Sequence, residues 1–332
     1  MSETNPAGMP TNVELHAPDI APYRDSASGV PWVHVYDSGR AGPTVMVQAL
    51  THGNELCGAI ALDWLFRQGM GQALQPQRGR LILSFGNVEA YQRFDPAKPA
   101  ASRCVDEDLN RVWADEVLYS RRDSLELRRA RVLRPFVDAA DYLLDIHSMQ
   151  DACRPLMVCG LLDKGAEFAR QLGMPSELLI DTGHPAGLRM RDRGGFGDPA
   201  SAKNAALIEC GQHWERASAV VAIDALLRFL RLTGVLDAAW VESRLRLPLP
   251  SQQRLIRVDE AVTARSEDFR FLFPVHGLDV IAKAGTAFAQ DGDTVFSTAY
   301  DNCVLVMPSY GRAKSGATMV RLGRIDSSFG RG

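Results

Sequence analysis

Four side chains, delivered by three separated stretches of chain, have the chemistry to hold one divalent ion and move a proton beside it. The apolar run at residues 44–50 (TVMVQAL) leads into Thr51-His52-Gly53-Asn54-Glu55. The run at 142–146 (YLLDI) leads into His147-Ser148, and the run at 205–208 (AALI) leads into Glu209-Cys210-Gly211. His52 and Glu55 are three apart, so one turn can aim both at a common centre, and Gly53 lets the backbone bend between them. With His147 as a third ligand, two imidazoles and one carboxylate leave a coordination position open to water, an arrangement used by catalytic zinc. Such an ion acidifies its water and polarises a carbonyl. Imidazole and carboxylate together suit zinc better than magnesium or calcium.

Glu209 is the natural proton carrier for that centre. A carboxylate next to an apolar run is hard to explain as a solvated face, and burying it unpaired costs several kcal/mol, roughly. Beside a metal and a water it can act as general base, then as general acid to a leaving nitrogen. Plainer readings exist for each piece. A lone His-x-x-Glu is weak evidence, a lone histidine after a strand is usually not a ligand, and a buried glutamate can be paired with arginine for structure. Convergence at three strand ends is what favours the metal.

Residues 103–111 (RCVDEDLNR) form a third polar cluster. By itself it reads as a charged surface loop. Folded over a metal, its Arg103 could stabilise the oxyanion formed when water attacks a carbonyl. Its Asn110 and Arg111 could grip a substrate carboxylate, arginine being a bidentate donor. Asp145 lies two residues before His147, on the same side of a strand. It could orient an imidazole or serve a purely structural hydrogen bond.

The elements that must position these groups alternate. Strand candidates at 44–50, 80–85, 142–146, 156–159 and 205–208 are short and rich in Val, Ile and Leu, as in strands buried on both faces. Between them, 56–68, 124–139 and 217–233 carry apolar residues at helical spacing, the last stopping at Gly234. This alternation predicts an α/β sandwich, with ligands collecting beyond the carboxyl ends of the strands. After residues 244–254 (RLRLPLPSQQR) the pattern changes to short strands at 255–262, 286–288, 294–297, 303–307 and 319–322, separated by Gly, Asp and Asn turns. The expected division is an N-terminal arm at 1–29, a catalytic domain at 30–243 and a small all-β domain at 244–332.

Whole-chain totals agree with an enzyme acting on small molecules. The chain has 332 residues, and 46% are hydrophobic, enough for a large core. Lys plus Arg number 37 against 40 Asp plus Glu, a net charge of -3, which gives no electrostatic reason to expect nucleic acid or an anionic membrane. The six scattered cysteines contain no CxxC pair and read as reduced thiols. No basic start precedes an apolar run at the N-terminus, and no apolar stretch is long enough to span a bilayer. A cytoplasmic location is the default expectation, and a homo-oligomer is possible.

With these residues assembled, the sequence resembles the succinylglutamate desuccinylase/aspartoacylase family, a branch of the zinc carboxypeptidase-like superfamily. The matching pieces are His52-Gly53-Asn54-Glu55, Asp108-Leu109-Asn110-Arg111, Asp145-Ile146-His147 and Ile208-Glu209-Cys210-Gly211, in that order. The resemblance covers about residues 40 to 235, and Tyr300-Asp301-Asn302-Cys303-Val304-Leu305 is similar to a stretch of the β domain that ends family members. It implies an α/β/α sandwich around a mixed eight-stranded sheet and one Zn2+ per active site. It also implies His52, Glu55 and His147 as ligands, Glu209 as general base, Arg103 polarising the scissile carbonyl, and Asn110 and Arg111 on a substrate carboxylate. The sequence departs from the family where aspartoacylases place an arginine shortly before the acid/base glutamate. Here residues 199–208 read PASAKNAALI; Arg189, Arg191 and Arg193 lie further upstream and Lys203 closer. His213, four residues after Glu209, reads as a surface histidine or a pocket residue.

The expected function is hydrolysis of the amide in a small N-acyl amino acid or related carboxylate. The rivals are a carboxypeptidase on short peptides, an esterase using the same machinery, and a non-catalytic metal- or ligand-binding module.

Overall fold

A computed structural model describes residues 12–311 and 313–329. Of the expected N-terminal arm, residues 1–11 lie outside the described part. The remainder of the arm is irregular apart from a 3-10 turn at Ala21–Tyr23. It packs on the core through buried Leu15 and Ile20 and through the Glu14 N–H donated to the Trp214 carbonyl at 3.0 Å.

Among the described residues, four long helices and fourteen strands make up most of the architecture. The strands are β1 (Val33–Asp37), β2 (Thr44–Ala49), β3 (Arg80–Phe85), β4 (Tyr142–Met149), β5 (Leu156–Gly160), β6 (Glu177–Ile180) and β7 (Asn204–Gln212). The C-terminal stretch adds β8 (Arg254–Thr263), β9 (Arg270–Phe271), β10 (Asp279–Ile281), β11 (Ala287–Asp291), β12 (Thr294–Ser297), β13 (Cys303–Val306) and β14 (Thr318–Ile325). The helices are α1 (Leu56–Arg67), α2 (Leu125–Ala139), α3 (Asp163–Leu172) and α4 (Arg216–Leu232). Local chemistry sets their ends. Ser124 caps α2 by accepting the Leu127 N–H at 2.9 Å, and Gly173, at φ 79°, closes α3 in the left-handed conformation.

One mixed sheet of eleven strands runs through the molecule in the order β1-β3-β2-β4-β7-β5-β6-β8-β14-β13-β10. Strands β3, β2, β4 and β7 are parallel, and β5 joins β7 antiparallel. The sheet therefore does not stop at the eight strands that the resemblance implied. β8 pairs parallel with β6 on one side and antiparallel with β14 on the other, so the C-terminal strands prolong it. A separate three-stranded antiparallel sheet, β12-β11-β9, completes the C-terminal region.

Helices α1, α3 and α4 cover one face of the sheet through a large core that includes Val47, Ile146, Met157, Ile208 and Phe229. On the other face, α2 covers the first strands through Met46, Leu143, Ala205 and Leu133. Further along that second face lies another apolar cluster, with Val158, Leu179, Leu207, Ile256 and Val306. Between these two apolar patches the alternation of β4 and β7 presents Asp145, His147 and Glu209. A polar site is thus set into a face that is otherwise core.

Candidate metal centre and its cavity

The expected ligand residues converge. One donor atom each from His52, Glu55 and His147 lies within 4.8 Å of the other two, and all three residues are buried. Glu55 sits between the imidazoles: its Oε1 is 2.8 Å from His52 Nδ1 and its Oε2 is 3.0 Å from His147 Nδ1. The Ser148 N–H also donates to Glu55 Oε2 at 3.3 Å.

Carboxylates behind the imidazoles turn both Nδ1 atoms toward that point. His52 Nε2 lies 2.8 Å from Asp108 Oδ1. His147 Nε2 lies 2.9 Å from Asp145 Oδ2, within ion-pair distance. Asp145 is anchored by its other oxygen, which accepts from the Thr51 hydroxyl at 2.7 Å. A carboxylate behind each ligating histidine fixes ring orientation and raises ligand basicity. The electrostatics favour a cation here. Burial drives His147 toward its neutral form, but Asp145 and Glu55 outweigh it and hold its pKa well above the ordinary histidine value. Burial likewise pushes Glu55 up, yet His52 and His147 hold it well below the usual carboxylate range. Donor set, convergence and backing carboxylates fit a zinc ion.

The local backbone that makes the turn is specialised. Leu50 follows β2 at φ 57°, a left-handed conformation that a branched side chain adopts at a cost of about 1–3 kcal/mol. It redirects the chain so that residues 51–55 fold back over the strand ends before α1 begins. Gly53 is required for a different reason than bending. A Cβ there would lie 2.4 Å from Tyr91 N and 2.5 Å from both Ala90 C and Ser102 O, all backbone atoms.

His147 and Glu209 are register partners on adjacent β4 and β7. Both lie inside their strands rather than just past them, because β4 and β7 run on to Met149 and Gln212. Glu209 Oε2 is buried and has no hydrogen-bond partner among the described residues. Burial pushes the Glu209 carboxyl up to about 8, against the pull of His147 and Arg103 and with the help of Glu55. A proton can therefore be taken and returned near neutral pH.

The 103–111 segment folds over this centre. The buried Glu126 of α2 ties it down, accepting from the backbone N–H groups of Val105, Asp106 and Glu107 at 2.6, 3.0 and 3.2 Å. Arg103 Nη2 donates to Asp108 Oδ2 at 3.1 Å, and its Nη1 lies 3.5 Å from Glu55 Oε1. Asn110 is buried, with its Oδ1 accepting the Met190 N–H at 3.0 Å. Arg111 Nη1 donates to the Asn110 carbonyl at 2.7 Å, and its Nη2 is 3.9 Å from Asp108 Oδ2.

All seven expected site residues line one cavity of about 270 Å³, together with Ser148, Asp151, Asp181, His184, Arg189, His213 and Arg321. The upstream cations divide. Arg189 reaches the cavity but is held by both oxygens of Asp181 at 2.6 and 2.7 Å. Arg191 is locked on Asp192 and the Ala205 carbonyl, and Arg193 on Asp138, Asp115 and the Trp113 carbonyl. Lys203 Nζ donates to the Asp138 carbonyl at 2.6 Å. None of those three lines the cavity. His213 is no surface histidine: it is 1% exposed, and its Nδ1 is 2.8 Å from the Ser148 hydroxyl. Burial pushes His213 down to about 3, so the ring stays neutral. Sequence reasoning missed Asp108 as the carboxylate behind His52, Glu126 as the anchor of the loop, and Arg321. Asp108 was within reach, since it stands inside the quoted motif; the other two become visible only through tertiary packing.

Comparison with known proteins agrees with this geometry. No curated protein matches the sequence. The fold is similar to that of succinylglutamate desuccinylase from Vibrio cholerae, with TM-score 0.63, 16% identity and coverage of 86% of this chain and 82% of that one. It is also similar to the ectoine utilization protein EutE from Ruegeria pomeroyi, solved with its product bound (TM-score 0.63, 17% identity, coverage 90% and 92%). An aspartoacylase family protein from Mesorhizobium loti matches with TM-score 0.59, 16% identity and 89% coverage of each chain. Residues 41–229, more than half of the chain, match the pattern of the succinylglutamate desuccinylase/aspartoacylase catalytic domain, and with the fold and the His-Glu-His cluster in agreement the chain belongs to that family.

Proposed function

We propose that the chain is a zinc-dependent deacylase that hydrolyses the amide of a small N-acyl amino acid or related carboxylate. The observation that carries this reading is Glu209, a buried carboxyl with an oxygen unpartnered among the described residues, beside a metal-competent His-Glu-His cluster. A site meant only to hold an ion has no use for a free proton carrier at that position. The names of the similar structures, a desuccinylase and an aspartoacylase family protein, also denote removal of acyl groups.

One zinc ion held by His52, Glu55 and His147 would supply Lewis acidity and a more acidic water. Glu209 takes the proton from the attacking water and then delivers it to the departing nitrogen. Arg103 turns its guanidinium toward the oxygen that gains negative charge. Asn110 has its Oδ1 occupied by the Met190 N–H, which leaves the amide N–H groups for a ligand, and Arg111 adds charge for the substrate carboxylate. His213, neutral and fixed by Ser148, offers a hydrogen-bonding wall. Met307, Pro308 and Ser309 border the same cavity. This C-terminal rim narrows access and favours small acyl amino acids over peptide chains.

The test is Glu209→Gln at saturating zinc, assayed on a panel of N-acyl amino acids and dipeptides. The expected result is a fall in kcat of about 10²–10⁴, with one zinc per chain retained by metal analysis. Full activity in the variant refutes the base assignment. A dipeptide preference in the wild-type protein refutes the substrate class.

A further inference from the structure

We propose that Arg321, on the C-terminal strand β14, is a specificity-determining residue that receives a second negatively charged group of the substrate. The inference deepens the deacylase reading and rests on it for the identity of the cavity.

Sheet continuity places Arg321 where it can act. It pairs with Val306 of β13, and Gly323, two residues on, pairs with Val258 of β8. Val306 and Val258 belong to the apolar cluster that also holds Leu179 and Leu207. Leu207 is two residues from Glu209 on β7, so side-chain alternation puts Arg321 and Glu209 on one face of one sheet. Both line the same cavity.

The other arginines of that cavity already have carboxylate partners. Arg103 is on Asp108, Arg111 is near Asp108 at 3.9 Å, and Arg189 is on Asp181 and Asp192. The Arg321 guanidinium has no hydrogen bond or ion pair among the described residues, its backbone alone being paired in the sheet. Asp181 cannot serve it, because both of its oxygens are engaged by Arg189. Burial and the charge of Arg189 weaken the hold of Arg321 on its proton, with Asp181 pulling the other way. A part-buried guanidinium with free donors is costly unless an anion completes it. Arg111 and Arg321 also act together on His184, which burial and these charges push down to about 3. This end of the cavity is therefore electropositive, and a neutral His184 adds no competing charge. A monoanionic acyl amino acid, held by Asn110 and Arg111, would leave Arg321 unanswered. A substrate with two anionic groups would satisfy both positions, the second by a charge-assisted, potentially bidentate pair.

Two isosteric comparisons test this on the full-length, zinc-loaded chain. By calorimetry, glutarate is compared with glutaramate, which keeps the shape and loses one charge. By kinetics, N-acetylglutamate is compared with N-acetylglutamine. The wild-type protein is expected to favour the dianion about tenfold or more in each comparison, and Arg321→Gln to bring both ratios close to one, chiefly through Kd and KM rather than kcat. Arg321→Lys, which keeps the charge without the fork, is expected to fall between. It also carries the test if the glutamine variant does not fold. Ratios unchanged by either variant, or a wild-type protein indifferent to the second charge, overturn the proposal. A glutarate preference that collapses in Arg321→Gln without hydrolysis of any amide upholds Arg321 and overturns the deacylase reading. Amide hydrolysis with ratios untouched by the variants does the reverse.

Discussion

Glu126→Gln separates the loop over the candidate metal centre from the fold that supports it. Glu126 is fully buried on α2 and accepts four hydrogen bonds. Oε1 takes the Asn87 amide at 2.9 Å and the Val105 N–H at 2.6 Å; Oε2 takes the Asp106 and Glu107 N–H groups at 3.0 and 3.2 Å. Glutamine keeps one oxygen and replaces the other with an amide NH2 group that cannot accept. In the orientation that keeps Oε1, the N–H groups of Asp106 and Glu107 face a donor. Each unsatisfied buried group costs about 1–3 kcal/mol, so the loss for the two is about 2–6 kcal/mol against a typical total stability of about 5–15 kcal/mol. The damage concentrates at the segment that carries Arg103, Asn110 and Arg111. Urea unfolding is expected to show a lower midpoint at unchanged slope. Native-state hydrogen exchange is expected to show faster exchange at the amides of Val105, Asp106 and Glu107 than in the wild-type protein. Weaker substrate affinity should accompany the loosened loop. An unchanged urea midpoint together with unchanged protection of those three amides would refute the idea that Glu126 anchors it.

Two further outcomes follow from separate parts of the site. Gly53→Ala forces a Cβ against three backbone atoms at 2.4–2.5 Å, none of which can rotate away. It should lower stability by about 1–3 kcal/mol or more and weaken zinc uptake by displacing His52 and Glu55, read by metal titration; zinc affinity equal to wild type would contradict the packing argument. The Asp181–Arg189 pair sets a pH dependence. Burial raises the Asp181 carboxyl, but Arg189 outweighs it and leaves the folded pKa below its ordinary value. A depressed carboxylate contributes stability above its unfolded pKa of about 3.9 and loses it as pH falls through the lower folded value. Asp181→Asn should therefore be less stable than wild type at neutral pH, with the difference shrinking at low pH. A difference that grows on acidification would contradict that sign.

The candidate metal cluster was legible in the sequence because its information is local. His52 and Glu55 share one turn, His147 and Glu209 each adjoin a short apolar run, and the runs at 80–85 and 294–297 mark β3 and β12 to the residue. Burial on both faces compels such runs to be continuous, so their chemistry shows without coordinates. β1, β6, β9 and β10 escaped notice: VHVYD is half exposed, ELLI opens on a charged residue whose partner Arg254 lies far along the chain, and the last two are only two and three residues long.

Tertiary structure alone decided which charges are free. Arg189, Arg191, Arg193, Lys203 and Arg321 are all plain cations in the sequence. Asp181, Asp192, Asp138 and backbone carbonyls tie up the first four, whereas Arg321 reaches the cavity from β14, in the C-terminal part of the eleven-stranded sheet. The type and spacing of residues determine which groups can bind a metal or carry a proton. Whether a charge is spent inside the protein or left for a ligand depends on strand register and on partners far away in the chain, because ion pairing is settled by distance in space.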